Sequence, residues 1–514
     1  MLKCKVIEEE NENMDEVIVV GSGPAGVSAA KGLLERGCKV TLLDVGCTIE
    51  FEKQLILNKI QSNNFVNDED IASLRWYPNG KGKSKLPYGS NFIYKDVKDY
   101  FSWDSETCYL QSSFAQGGLS NVWGGALAEY SAKELIDWPI SCRDLSRYYS
   151  KIIAWLGDYY TKCPEQVLSK QAVYLKNSWD EQSKALYANG FSYQIPALAV
   201  NFNKCCLCGS CQYGCPYGLI YNSSFHLALL RNDRRFKYVN NIVLENFFEE
   251  DQKVKLLVKN INDKQTHYLS TNRLFIACGA GLSSLLYLRS LNQVGKKLIL
   301  KDSQHFILPC LMNKKLKEVT SENLHVLCQL KISLSHKMIS PCPVHLQLYT
   351  YMDLYQYETK NKLKWVYPFI GPVLKRLLAR FVVLQGYLDM NDSNQIQIQY
   401  HGTNQFTIGG EFCNPAHKTI KRIVYYLKKH HNNLAFKPLG FLLSQSQIGQ
   451  SNHVTGSLPM SDVPKDTHTD IWGRPLNFER VHFVDGSILP RVPAGPITLT
   501  IMANAYRIAK ECQL

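Results

Sequence analysis

Between residues 16 and 44 the hydrophobic pattern changes period twice. The run EVIVV (16–20) is mostly β-branched, as suits a strand buried on both faces; from Ala25 to Arg36 apolar residues recur at three- and four-residue intervals, the helical spacing. Pro24 suits the first turn of that helix and Gly37 its end, after which Val40 to Leu43 reads as a second strand closed by Asp44. Strand, helix and strand in this order predict the opening of a parallel sheet.

Further along the pattern is less regular. Residues 46–115 are polar, rich in Tyr and Lys and weakly periodic, which predicts loops and short elements. From Ser131 to about Leu198 the periodicity is helical, with DLSRYYSKIIAWLG (144–157) as its clearest amphipath. Residues 237–280 alternate as strands, the last being the apolar run Arg273 to Gly281, which leads into the helical SSLLYLRSL. This is a second strand-to-helix turn able to face a dinucleotide. Residues 300–400 hold several strand-like stretches and one basic amphipathic segment, 363–384, with Trp365 and Tyr367 at one end; a segment of this kind can lie in a membrane interface or pack its apolar side on the protein. The chain closes with the strand and turn His482 to Ser487 and a helix, Ile501 to Lys510.

The first strand-to-helix turn is GSGPAG. Gly21 permits the tight turn, Gly23 lets the backbone approach a pyrophosphate, and Gly26 lets helix and strand pack closely. The helix N-terminus attracts phosphate charge, and Asp44, at the end of the next strand, is placed to bind a ribose hydroxyl. The fingerprint fits FAD and NAD alike. A second glycine-rich stretch, Gln116 to Gly125, sets Gly118, Ser120 and Asn121 in a loop able to offer N–H groups to an anion or a flavin; the plainer reading is a surface turn.

Length and charge narrow the class. A chain of 514 residues exceeds one core and predicts two or more domains. The first sixteen residues contain no apolar signal region, and no uncharged run approaches the ~20 residues of a membrane span, so the expectation is a cytoplasmic protein. The formal charge of +13 is unaccompanied by any nucleic-acid motif, which argues against a nucleic-acid partner. Seventeen cysteines in such a chain point to metal, redox chemistry or burial rather than disulfides. Cys205, Cys208, Cys211 and Cys215, followed by Pro216, match C-x2-C-x2-C-x3-C-P, the ferredoxin run that wraps one face of an iron–sulfur cluster. A [3Fe-4S] or [4Fe-4S] cluster is the leading expectation, with a zinc site or a reduced, metal-free loop as rivals.

Both ends of the chain together resemble the glucose-methanol-choline (GMC) family of FAD oxidoreductases. The resemblance rests on GSGPAG with Asp44, GGLSNVWGG, LFIACGAG, His453 in NHVTGSLPM, and VDGSILPRVPAGPITLTIMANAYRIA. It implies an α/β fold: a Rossmann-like FAD-binding domain (1–60, 115–130, 235–300 and 465–514) and a discontinuous α+β substrate domain on an antiparallel sheet (61–114, 131–234 and 301–464). It implies FAD as cofactor, with Asp485 and Gly486 near the pyrophosphate and flavin, Pro496 and Thr498 near the isoalloxazine, and Val243 as a backbone contact to adenine. It also implies oxidation of a small-molecule alcohol, a sugar, polyol, glycan precursor or lipid-like alcohol, by hydride transfer to the flavin. His453 would take the hydroxyl proton, a task suited to imidazole.

Two features set this chain apart. The family's second His or Asn, just before the proline preceding the final helix, is here Gly495. And Cys205, Cys211, Cys215 and Pro216 are similar in spacing to the [3Fe-4S] motif of bacterial FAD-dependent glucose dehydrogenases, which implies a dehydrogenase passing electrons to an acceptor protein. The alternatives are an oxidase or other flavin reaction without a cluster, and a flavoprotein scaffold that binds a partner or membrane without turnover.

Overall fold

The computed structural model describes residues 16–63, 68–75, 85–105, 107–411 and 415–514. The opening residues 1–15, on which the expectation of no secretory signal chiefly rests, lie outside that set.

The opening pattern forms as read. Strand Glu16–Val20 pairs in parallel with Lys39–Leu43 on one side and with Arg273–Ile276 on the other, and Phe236–Val239 and Val481–Phe483 complete a five-stranded parallel sheet. Segments far apart in the chain thus meet in one sheet. The helix Pro24–Leu34 buries nearly its whole length between this sheet and the closing helix Thr498–Glu511, a close approach that suits the Ala and Gly of the first and the Ala503, Ala505 and Ala509 of the second. All five strands run the same way, so the turns at Gly21, Asp44, Ala277 to Gly279 and Asp485 gather at one edge, where an open α/β sheet forms its binding crevice.

A second, antiparallel sheet orders its main strands Phe436–Pro438, His305–Met312, Phe381–Tyr387, Val344–Tyr349, Leu330–Leu334 and Phe191–Gln194. Strand His305–Met312 alternates half-buried and buried residues along its length: Phe306, Leu308, Cys310 and Met312 enter a second apolar core with Trp179 and Phe436, while His305, Ile307 and Pro309 face the other way. The strand pair Gln395–Gly402 and Gln405–Glu411 buries Ile396, Ile398, Phe406 and Ile408 in the first core, with the parallel sheet.

Two stretches differ from expectation. Residues 46–115 contain the helices Phe51–Asn63 and Asp68–Leu74. The first buries just Leu57 and Ile60, too little apolar surface to produce a visible period. Segment 363–384 is two elements, a helix Tyr367–Leu378 and the start of strand Phe381–Tyr387.

Candidate active site

The turn at Gly21 works by close packing. Its φ is +100°, a conformation in which a side chain is strained, and a Cβ there would stand 2.5 Å from the carbonyl oxygen of Ala277. A Cβ on Gly26 would stand 1.8 Å from the Gly21 carbonyl, so helix and turn can meet only if both residues lack side chains. Gly23 differs: no atom lies within 4 Å of its would-be Cβ, because it faces a cavity.

That cavity, of about 430 Å³, runs between the two sheets. It is lined by Gly21, Gly23, Asp44, Gly118, Ser120 and Val243, and also by Asp485, Gly486, Pro496, Thr498 and His453. Two sequence-predicted residues stand behind its wall. Gly26 acts through packing, and Asn121 donates through Nδ2 to the carbonyls of Gln116 (3.0 Å) and Gly118 (2.7 Å), holding the glycine loop in its own shape.

The polar groups of the crevice brace one another. The Ser22 hydroxyl donates to Asp44 and accepts from the Gly117 N–H (2.9 Å), and Tyr238 donates to Asp44 at 3.1 Å. Burial pushes the Asp44 carboxyl up to about 7, against the opposing pull of those two hydroxyls. Asp485 accepts from the N–H groups of Gly279 and Ser487, both at 2.8 Å, tying the closing turn to the start of the helix Ala280–Leu291. The N-termini of this helix and of Pro24–Leu34 both open on the cavity, through Gly279 and Ala280 and through Gly23 and Pro24. Two positive helix ends, a Cβ-free floor and a buried carboxyl at a strand end suit a dinucleotide. The residues present therefore fit FAD.

His453 is held by its loop. Its N–H donates to the Ser451 hydroxyl (2.9 Å), and Ser451 donates to the buried Asp302, which also accepts from the Gly449 N–H (2.8 Å). The imidazole stacks on Tyr387, with ring centroids 4.8 Å apart, and Tyr387 meets His305 on its strand neighbour at 4.9 Å. Burial, reinforced by His305, lowers the His453 pKa to about 4, and its Nδ1 is buried with no hydrogen-bond partner. The ring is neutral near pH 7 and able to take a proton. At Gly495 the nearest atom to a would-be Cβ is Glu134 Oε1, at 4.0 Å.

Besides Ser22, Tyr238, Asp302 and Ser451, a row of four residues of this site escaped the sequence reading. Gln347, Tyr349, Gln385 and Tyr387 project into the cavity from adjacent strands, with Gln347 directly opposite Gln385. The signal was present: HLQLY and VVLQGY each place Gln and Tyr two apart in an otherwise apolar strand, hence on one face.

The cysteine loop does not assemble the expected cluster site. Cys205, Cys208, Cys211 and Cys215 are near enough to influence one another electrostatically, and all are unbridged. Yet among the described residues no group of three or more His, Cys, Asp or Glu side chains converges to hold a metal. The loop spends its contacts on packing: Cys205 and Cys211 lie against the second core, Cys215 Sγ accepts the Leu219 N–H (3.4 Å), and Gln212 donates to the Val326 carbonyl (2.7 Å). The thiols as they stand do not fit an iron–sulfur cluster or a zinc ion.

Residues 437–505, which include His453 and the whole closing turn, match the family model described as GMC oxidoreductase. Over that segment the chain is similar to the GMC oxidoreductases. The family is one of flavin-dependent enzymes acting on CH–OH donors. The sequence matches no curated protein. Among solved structures it is similar to pyridoxine 4-oxidase from Mesorbium loti, with a TM-score of 0.58 and 13% identity over 97% of this chain and 99% of that one, a likeness of fold.

Proposed function

We propose that this protein is a GMC oxidoreductase that binds FAD along the crevice and oxidises the hydroxyl of an uncharged, polar small molecule to a carbonyl, with His453 as the base. The observation that carries this reading is the continuity of one cavity from the glycine turn to His453. FAD supplies the acceptor for the hydride. The chain's own contribution is threefold. The Gly23 floor and the two helix ends receive the phosphates, and Asp44 is placed for the ribose. Asp302 and Ser451 fix the backbone at His453 and Tyr387 stacks on its ring, so that the imidazole is placed to accept the hydroxyl proton as the C–H bond breaks. Gln347, Gln385 and Tyr387 offer carboxamide and phenol groups that both donate and accept, with the Tyr349 hydroxyl donating to Gln347 Oε1 at 3.1 Å, a lining that suits several hydroxyls on one substrate better than an alkyl chain or a cation.

Loss of a side chain at Gly495 leaves the second hydrogen bond to the substrate oxygen to these sheet residues. A second reading concerns reoxidation. The thiols of 205–215 do not converge, and the similar fold is that of an oxidase, so oxygen is favoured over a cluster relay.

The test is anaerobic mixing of the holoprotein with polyols, sugars, aliphatic alcohols and amino alcohols, followed by flavin absorbance. Bleaching by a polyol or sugar, abolished in His453→Ala, is expected. Bleaching by simple aliphatic alcohols alone would overturn the substrate class, and bleaching undiminished in His453→Ala would overturn the base. Reopening the sample to air then reads the acceptor: rapid return of colour with peroxide supports the oxidase reading.

A further inference from the structure

Strands Val344–Tyr349 and Phe381–Tyr387 are antiparallel neighbours, paired from Tyr349↔Val383 onward, and a short turn would join them. Residues 350–380 instead leave the sheet as a helical hairpin, Asp353–Lys362 and Tyr367–Leu378. Its base is anchored: Leu378 and Tyr351 are buried with Val319, and Arg380 donates to the Met312 carbonyl at 2.7 Å. Its outer side is bare. Trp365, in the turn between the helices, is 91% exposed, and Phe369 (85%) and Val373 (66%) follow on the second helix, with Leu377 continuing their four-residue recurrence along one face. Three large apolar side chains at such exposure are costly in water unless something covers them.

Charge identifies the covering. Lys360, Lys362 and Lys364 lie where the two helices join, and Lys375 and Arg376 lie on the last turn of the second. Beside that turn is a depression of about 590 Å³ lined by Lys315 and Lys317 from a neighbouring loop together with Lys375 and Arg376; its one acid, Glu318, is taken by Lys170 at 2.7 Å. An apolar stripe with Trp at its head, bordered by cations on two separate elements, matches a surface that is oily below and anionic above. A second copy of this chain fits poorly, because a two-fold contact through the stripe would set like charges against one another. Among the described residues no helix is long and apolar enough to cross a membrane.

We infer that the 353–378 hairpin docks this protein on an anionic phospholipid surface, with Trp365, Phe369 and Val373 entering the acyl boundary and the basic depression taking headgroup phosphates. The hairpin grows from the strand that carries Gln347 and Tyr349, so docking turns that side of the cavity wall towards the lipid.

The experiment is co-flotation of the full holoprotein with vesicles of phosphatidylcholine alone or mixed with phosphatidylglycerol, with Trp fluorescence recorded in parallel. Strong retention on the anionic vesicles is expected, about tenfold weaker on phosphatidylcholine and in high salt, with a blue shift that Trp365→Phe removes. Trp365→Ser with Phe369→Ser should lose binding to both, and Lys375→Glu with Arg376→Glu should lose the anionic preference, all with flavin content and melting temperature unchanged. Equal retention with and without vesicles overturns the inference. So does sedimentation as a dimer that Trp365→Ser with Phe369→Ser dissociates, or vesicle binding that survives both double variants.

Discussion

At the glycine crevice, residues from 16–44, 118–123, 273–281 and 449–498 converge on one cavity and brace each other through buried hydrogen bonds. At the cysteine loop, four thiols packed into eleven residues stay unconverged, and the loop binds its surroundings through backbone and Gln212. The two stretches carried comparable motif density. They differ in their flanks. GSGPAG stands between a strand and a helix whose own periodicities demand a particular packing, and that packing sets the position of every glycine. The cysteine run has no regular element on either side beyond single short turns, so its spacing constrains chain distance and leaves side-chain direction free.

Substitutions can sharpen that contrast. The largest effect is expected from Gly26→Val, whose Cβ would collide with the Gly21 carbonyl; the chain should fail to retain FAD at all, read as absence of flavin colour in whatever soluble protein is recovered. Next comes His453→Ala, expected to lower the rate of flavin reduction by about 10²- to 10⁴-fold while FAD remains bound. The pH profile belongs to the same residue. A base works only when unprotonated, and burial holds this imidazole near about 4, so the rate should stay level from neutral pH downward and fall as protons occupy the ring near that value. A fall already centred at ~6.5 would mean a solvated imidazole rather than the buried one.

Smaller changes are expected on the sheet. Gln347→Ala and Gln385→Ala each remove one substrate hydrogen bond, about 1 kcal/mol, and should raise KM roughly fivefold with little change in FAD content. Least of all should follow from Cys208→Ser, which removes a thiol that binds nothing the crevice needs; flavin content and reduction rate should stay within about twofold. If iron and sulfide accompany the purified protein and vanish with this variant, the loop rearranges around a cluster and the contrast between the two stretches fails.

Much of the crevice was legible because its signals were redundant. A strand of β-branched residues, a helix of small ones, an acid at the next strand end and the closing V-D-G-S turn each pointed to the same place. His453 was legible through its neighbours in the chain, though what holds it was not: Asp302, Tyr387 and His305 come from other segments, and their approach depends on sheet register. The glutamine and tyrosine row was hidden for a similar reason. Alternation marked those residues as sharing a face, but which face met the flavin side depended on how the second sheet sits over the first. The helix Phe51–Asn63 stayed invisible because tertiary contact at Leu57 and Ile60, rather than an amphipathic pattern, sustains it. The basic segment was read as one continuous element, whereas its helix, which runs through both prolines, ends at Leu378 and strand pairing takes over at Phe381.

The central claim is that the crevice holds one FAD. The absorption spectrum of the purified protein, with the chromophore then released by heat and weighed by mass spectrometry, tests it most directly. Flavin bands and one FAD released per chain are expected. A colourless protein that takes up no FAD when the cofactor is added would contradict it.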